Sequence, residues 1–171
     1  VQRSIWSRST VGGRTWEHLE RDATEHGFGD WRCQFNSDGQ SINVGENATD
    51  IWASDDEGQT WSKFGQIDAA PFEKVGLGDN ILRLGDGTLM VTVKHMEKPF
   101  YEGENPAYTF RSTDGGRTFP QRSFLSNYGC EINISELSPG RLMAVIRHQP
   151  GPPDKPETNK TVFLADSTDS G

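Results

Sequence analysis

The chain has 171 residues, a formal net charge of −8 and a hydrophobic fraction of 32%. The acidic balance and the lack of a basic cluster argue against a nucleic-acid-binding surface, and no apolar run is long enough to span a membrane. The 5 tryptophans, 9 phenylalanines and 19 glycines argue against disorder and favour many short strands joined by tight turns.

An eight-residue motif, which we call the octet, recurs along the chain. It occupies residues 9–16, 54–61 and 112–119, with a partial copy at 167–171, so its first serine recurs after 45, 58 and 55 residues. Its Ser and Asp side chains accept hydrogen bonds from backbone N–H groups, and its Gly permits a left-handed turn. Its Thr leads into a strand, and its Trp or Phe is predicted to be a core anchor that packs against a neighbouring sheet. Repeats at this spacing predict stacked or radially arranged units.

In chain order, the predicted strands flank these octets. They cover residues 1–9 and 15–19, then 31–35, 41–46, 51–54 and 61–64, then 80–84, 88–94, 108–112 and 118–122, and finally 131–137, 141–147 and 161–165. Each full unit therefore reads as a four-stranded antiparallel meander, which is typical of a β-propeller blade. We expect the outer half of a blade at 1–20, blades at 21–64 and 65–122, and a blade lacking its last strand at 123–171. These are about three blades, as in a piece of a longer protein.

The three repeat units can be aligned in sequence on their hairpin-turn glycines, Gly39, Gly87 and Gly140. Seven residues later the second strand is predicted to end at Glu46, Lys94 and Arg147, and nine residues earlier the first strand is predicted to begin at Asp30, Gly78 and Glu131. These strand ends meet at the blade end opposite the octets, so they predict a common site. Solvation of ordinary strand ends is the alternative explanation for their charge.

Two motifs resemble sequences of a known family. The octet is similar to the Asp-box (BNR) repeat of sialidase-like β-propellers. Residues 131–147 resemble the sialidase pattern E-x(4)-E-L-x-x-G-R-L-x(4)-R. The resemblance implies a six-bladed propeller in which Glu131 activates a tyrosine nucleophile and Arg147 is one of three arginines that bind the sugar carboxylate. By their position, Lys94, Asp30 and Glu46 are further candidates for substrate binding.

This resemblance implies an exo-α-sialidase-like hydrolase that removes terminal sialic acid, or a related acidic sugar, with retention. Arg suits a planar carboxylate, and a phenol of pKa about 10 needs an adjacent carboxylate base. In the family, the acid Asp lies on the first blade, and the Tyr and the third Arg lie on later blades. Tyr101, Tyr108 and Tyr128 do not occupy the nucleophile's place, so we expect residues 1–171 alone to be inactive.

Other interpretations remain open. A non-catalytic Asp-box propeller would serve as a binding or assembly scaffold, and a hydrolase of the same fold could act on other sugars. We expect no cofactor or metal, because the octet lacks the alternating ligands of a calcium loop. Cys33 and Cys130 are predicted to be free thiols. Expected partners are an acidic glycan and further blades, in a secreted, periplasmic or cell-surface protein.

Overall fold

The structure, a computed structural model, describes residues 3–22, 34–45, 47–96, 105–149, 154–155 and 160–171. These residues form antiparallel sheets whose strands pair in sequence order. The first sheet contains β1 (Arg3–Arg8) and β2 (Glu17–Asp22), and the second contains β3 (Gln34–Phe35), β4 (Ser41–Val44), β5 (Asp50–Ser54) and β6 (Ser62–Gln66). The third contains β7 (Val75–Arg83), β8 (Leu89–His95), β9 (Ala107–Ser112) and β10 (Gln121–Ser126), and the fourth contains β11 (Ile132–Ser138), β12 (Arg141–His148) and β13 (Thr161–Ser167).

The predicted all-β class and the blade-like antiparallel meander are confirmed. The second and third sheets each contain four strands in the order of a meander. Among the described residues, no helix is long and apolar enough to cross a membrane.

The octets fold as the hydrogen-bonding logic of their sequence predicts. In the third copy, the Ser112 hydroxyl donates to Asp114 at 2.7 Å and accepts the amide of Gly116 at 2.8 Å. Asp114 also accepts the amide and the hydroxyl of Thr118 at 3.0 and 2.6 Å. Gly116 has a φ of 101°, a backbone conformation that side chains with a Cβ rarely adopt. The short polar side chains therefore close the turn locally.

The strands that leave the octets begin later than the sequence pattern predicted. β6 begins at Ser62 and β10 at Gln121, whereas the predicted strands began at 61 and 118. Because Asp114 holds both the amide and the hydroxyl of Thr118, the turn continues past the threonine before the chain can pair with its neighbour.

The second, third and fourth sheets pack face to face in chain order. The main core joins the second and third sheets through fully buried residues such as Ile42, Ile51 and Leu89. A second cluster, which includes Ala107 and Ile146, joins the third and fourth sheets. The octet aromatics were predicted to be core anchors, and this is confirmed where a neighbouring sheet covers them. Trp61 and Phe119 are 9% and 4% exposed, whereas Trp16 is 59% exposed.

A bulge in β7 changes one predicted equivalence. Leu77 pairs with Val93 and Ile81 pairs with Val91, so β7 contains extra residues at this point. Counting along the chain had matched Gly78 to Glu131. In the structure Gly76 lies opposite Lys94, as Glu131 lies opposite Arg147, and Gly78 lies inside the bulge. Gly76 is therefore the structural counterpart of Glu131.

Candidate functional site

Glu131 and Arg147 meet at the end of the fourth sheet, as their predicted strand-end positions require. Glu131 immediately precedes β11, and Arg147 is the penultimate residue of β12. The Arg147 amide donates to the Glu131 carbonyl at 2.9 Å, which fixes the register of the two strand ends. The side chains form an ion pair, with Arg147 Nη1 lying 2.7 Å from Glu131 Oε2.

This ion pair is open to solvent on the carboxylate side. The Glu131 side chain is 65% exposed and that of Arg147 is 33% exposed. The hydrogen bond that Arg147 donates to Glu131 raises the pKa of the Arg147 guanidinium above its ordinary value. The pair thus presents an accessible carboxylate beside a cation that stays charged at any working pH.

Gln149 holds the other side of the guanidinium. Its Oε1 accepts a hydrogen bond from Arg147 Nη2, and its side chain is 5% exposed. A guanidinium has five N–H donors, so the bonds to Glu131 and Gln149 leave donors for a ligand. Gln149 was not predicted as a site residue. The only sequence signal for it is its place directly after β12, on the same chain segment as Arg147.

Lys94 lies near the Glu131–Arg147 ion pair, but its side chain forms a hydrogen bond with the backbone. Its ammonium donates to the backbone carbonyl of Cys130 at 2.5 Å. Lys94 belongs to the third sheet, whereas Cys130 leads into the fourth sheet. The structure therefore brings Lys94 to the segment that precedes Glu131. Its predicted role in substrate binding stays a prediction.

A crevice and an aromatic cluster lie beside the ion pair. The crevice is lined by Asn105, Tyr128, Gly129, Cys130, Arg147, His148 and Gln149 and encloses about 10 Å³, too little for a sugar ring. The Tyr128 ring lies 4.1 Å from the His148 ring and 5.4 Å from that of Phe163, measured between centroids. Tyr128, His148 and Phe163 were not among the predicted site residues.

Two predicted site residues, Asp30 and Glu46, lie outside the described residues, as does Cys33. Cys130 is a half-buried free thiol, as predicted. Within the described ranges, no group of three or more His, Cys, Asp or Glu side chains could hold a metal ion.

Comparison with known proteins identifies the fold. Neither a sequence-family model nor a curated protein sequence matches the chain. Among solved structures, it is similar to the Hadza microbial sialidase Hz136, with 22% identity over 96% of this chain and 38% of that chain, at a TM-score of 0.63. It is also similar to the GH93 α-L-arabinofuranosidase of Fusarium graminearum in complex with arabinobiose. That match has 16% identity over 81% of this chain and 45% of that chain, at a TM-score of 0.62.

A third similar structure is the α-L-arabinanase of Penicillium chrysogenum complexed with arabinobiose, with 16% identity over 81% of this chain and 45% of that chain, at a TM-score of 0.60. The chain thus spans less than half the length of these structures. At such identities the likeness concerns the fold, which is that of the β-propellers, and the predicted fold class is confirmed.

Proposed function

We propose that the full-length protein is a propeller glycoside hydrolase that removes a terminal acidic sugar, of the sialic acid class, from glycoconjugates. The contact between Glu131 and Arg147 carries this proposal, because it joins an exposed carboxylate to a cation at a blade end. Support also comes from the sialidase-like pattern at residues 131–147 and from the fold shared with a sialidase.

Arg147 would bind the carboxylate of the substrate. A guanidinium matches a planar carboxylate through two parallel N–H donors, and it remains protonated throughout the working pH range. Glu131 and Gln149 hold the Arg147 side chain before substrate arrives. Such preorganisation lowers the entropic cost of binding.

Glu131 would serve as the base for a tyrosine nucleophile, as the resemblance to sialidases implies. The carboxylate accepts the phenol proton while the phenol oxygen bonds to the anomeric carbon and the glycosidic oxygen departs with a proton from an acid. Water then replaces the tyrosine, and the two displacements retain the anomeric configuration. The high exposure of Glu131 leaves its second carboxylate oxygen accessible for this role.

A second candidate is an exo-acting hydrolase of neutral pentofuranosides. The fold shared with the two arabinan-related enzymes favours it. In that enzyme Glu131 would act directly on the sugar or on water, and Arg147 would only orient Glu131 through their ion pair. The two candidates therefore differ in what Arg147 touches.

The test is an assay of the full-length protein on a fluorogenic α-sialoside and on 4-nitrophenyl α-L-arabinofuranoside. Arg147→Ala should lower kcat/KM for the sialoside by about 100-fold to 1,000-fold, the loss expected when the cation that pairs with the bound substrate carboxylate is removed. Arg147→Lys should recover only part of this, because an ammonium cannot form the bidentate contact. Arg141→Ala is the matched control, since Arg141 lies at the other end of β12 and pairs with Asp166 on the surface.

The pattern of activities decides between the candidates. Cleavage of the sialoside that depends on Arg147 supports the proposal. Cleavage of the arabinofuranoside alone supports the second candidate. A full-length protein that cleaves neither substrate would overturn both and favour the binding or assembly scaffold.

A further inference from the structure

We propose that Lys94 is a positioning residue, which anchors the segment before Glu131 and thereby holds the Glu131–Arg147 pair in place. The catalytic consequence rests on the proposed function. The anchoring itself rests on contacts between the third and fourth sheets, and it can be tested without any activity.

The anchor is a charged hydrogen bond between two sheets. Lys94 Nζ donates to the Cys130 carbonyl at 2.5 Å, across a separation of 36 residues in sequence. Cys130 directly precedes Glu131, so the bond fixes the peptide group that joins these two residues. Hydrogen bonds with a charged donor are stronger than neutral ones.

Close packing brings the anchored segment against the stem of Lys94. A Cβ built on Gly129 would lie 2.9 Å from the Cβ of Lys94 and 2.8 Å from the carbonyl oxygen of Asn105. The Gly129 backbone therefore approaches the third sheet more closely than a residue with a side chain could. Gly129 is buried, and the Lys94 ammonium bonds to the carbonyl of the next residue, Cys130.

Glu131 is consequently held from two sides. On one side its carbonyl accepts the Arg147 amide at 2.9 Å, and its carboxylate bonds to the Arg147 guanidinium. On the other side, Lys94 holds the preceding carbonyl. Without Lys94, the segment entering β11 would lose this hydrogen bond to the third sheet and would gain freedom.

The kinetic constants of a Lys94 variant distinguish a positioning role from a substrate-binding role. A lysine that binds the substrate carboxylate raises KM when it is removed, since it contributes to binding. A lysine that positions Glu131 lowers kcat, because the base is then misplaced in the transition state. The direction of its bond, toward a backbone carbonyl of its own chain, favours the second role.

The first measurement is the reactivity of the Cys130 thiol toward iodoacetamide in the full-length protein, on a Cys33→Ser background. Lys94→Met keeps the stem but removes the donors, and it should accelerate labelling by about tenfold, the effect of losing one hydrogen bond to a charged group. Lys94→Arg keeps a charged donor and should restore slow labelling. Lys63→Met is the control, because Lys63 forms a surface ion pair with Asp50 at 2.8 Å.

The second measurement compares kcat and KM for the same variants on the substrate that the wild type cleaves. Lys94→Met should lower kcat about tenfold with little change in KM, and Lys94→Arg should recover most of kcat. Thermal unfolding of each variant establishes that it is folded. If Lys94→Met does not fold, Lys94→Gln carries the same test, because it removes the charge and its amide nitrogen lies one bond closer to the backbone than the lysine Nζ.

Two results would overturn the proposal: unchanged Cys130 labelling in Lys94→Met, or a raised KM with unchanged kcat. Faster labelling with a lower kcat supports it. If the wild type cleaves no glycoside, the proposed function fails, and the labelling experiment still decides whether Lys94 anchors the segment.

Discussion

The side-chain amide of Asn36 donates to the carbonyl of Gly115 at 3.2 Å, although the two residues are 79 positions apart. Asn36 is 1% exposed and belongs to the hairpin turn of the second sheet, whereas Gly115 belongs to the octet of the third sheet. Its Oδ1 also accepts the amides of Asp38 and Gln40 at 3.0 and 2.9 Å. One buried side chain thus closes a turn and joins two sheets.

Replacing Asn36 with Ala should destabilise the protein strongly. The change removes the partner of a buried carbonyl and of two turn amides, and each unsatisfied buried group costs about 1–3 kcal/mol. We expect a loss of about 2–4 kcal/mol, measured by urea unfolding of the full-length protein. Gln121→Ala, at an exposed position on β10, should change stability by less than about 0.5 kcal/mol. Equal stability of the two variants would contradict the structural role of Asn36.

A second prediction concerns Gly65, where β6 meets the third octet. A Cβ at this position would lie 2.4 Å from the carbonyl oxygens of Gly116 and Arg117. Because both contacts are backbone, Gly65→Ala should force the octet away from the second sheet and cost about 3 kcal/mol or more. Gly85→Ala is the control, since its Cβ would meet only the Glu136 carboxylate, at 3.4 Å. The comparison is made by thermal unfolding, and similar midpoints would argue against this close approach.

The octets illustrate what the sequence could predict. Their hydrogen bonds join residues within a few positions, such as Ser54 to Gly58 and Asp56 to Thr60, so a local pattern determines a local turn. The strand ends of the fourth sheet were likewise predictable, because the pairing keeps one register from Glu136 to Ile132 and so places Glu131 opposite Arg147.

Other features depend on contacts that the local pattern does not contain. The bulge in β7 places Gly78 against Thr92, with only 2.8 Å between a built Cβ and the threonine methyl. Counting residues could not reveal this shift. Similarly, the octet pattern predicts an anchoring aromatic in every copy, but Trp16 is exposed while Phe119 is buried. Burial is decided by the neighbouring sheet, and so is the bond that directs Lys94 toward Cys130.

The octet carboxylates should make stability depend on pH in the acid range. Burial acts to raise the pKa of Asp114, but hydrogen bonds from Thr118, Ser112 and Arg117 outweigh it and lower the pKa to about 2. Bonds from Thr60 and Ser54 lower that of Asp56 to about 2 as well. The unfolded chain therefore takes up protons first, so this contribution is complete above about pH 4 and is lost as the pH falls toward about 2.

The measurement is the free energy of unfolding between pH 7 and pH 2 for the wild type and for Asp114→Asn. The variant should be less stable at pH 7, because its amide cannot replace every bond to the carboxylate. It should also lose less stability on acidification, since position 114 no longer titrates. Glu73→Gln, on an exposed loop, changes the charge equally and serves as the control. Parallel acid curves for wild type and Asp114→Asn would exclude this linkage.

The last prediction concerns an apolar face on the fourth sheet. Leu164 pairs with Val145 and Val162 pairs with Arg147, so Leu164, Val145 and Val162 share one face. These three side chains are 69%, 38% and 62% exposed. The corresponding pairs on the preceding sheets are Val44 with Ile51 and Thr92 with Thr109. All four of those residues are at most 4% exposed, because the next sheet covers them.

Residues 1–171, produced without further blades, should therefore self-associate through this face, since a contiguous exposed apolar patch favours association. Leu164→Lys combined with Val162→Lys should shift it toward monomer, measured by sedimentation velocity over a range of concentrations. The control substitutes lysine for two exposed residues of other sheets, Ser62 on β6 and Gln121 on β10. It adds the same charge and should leave association unchanged, which distinguishes loss of the apolar contact from a general effect of charge. A wild-type segment that stays monomeric at high concentration would show that this face is not adhesive. In that case the three exposed side chains would resemble single surface hydrophobic residues, which soluble proteins commonly carry without associating.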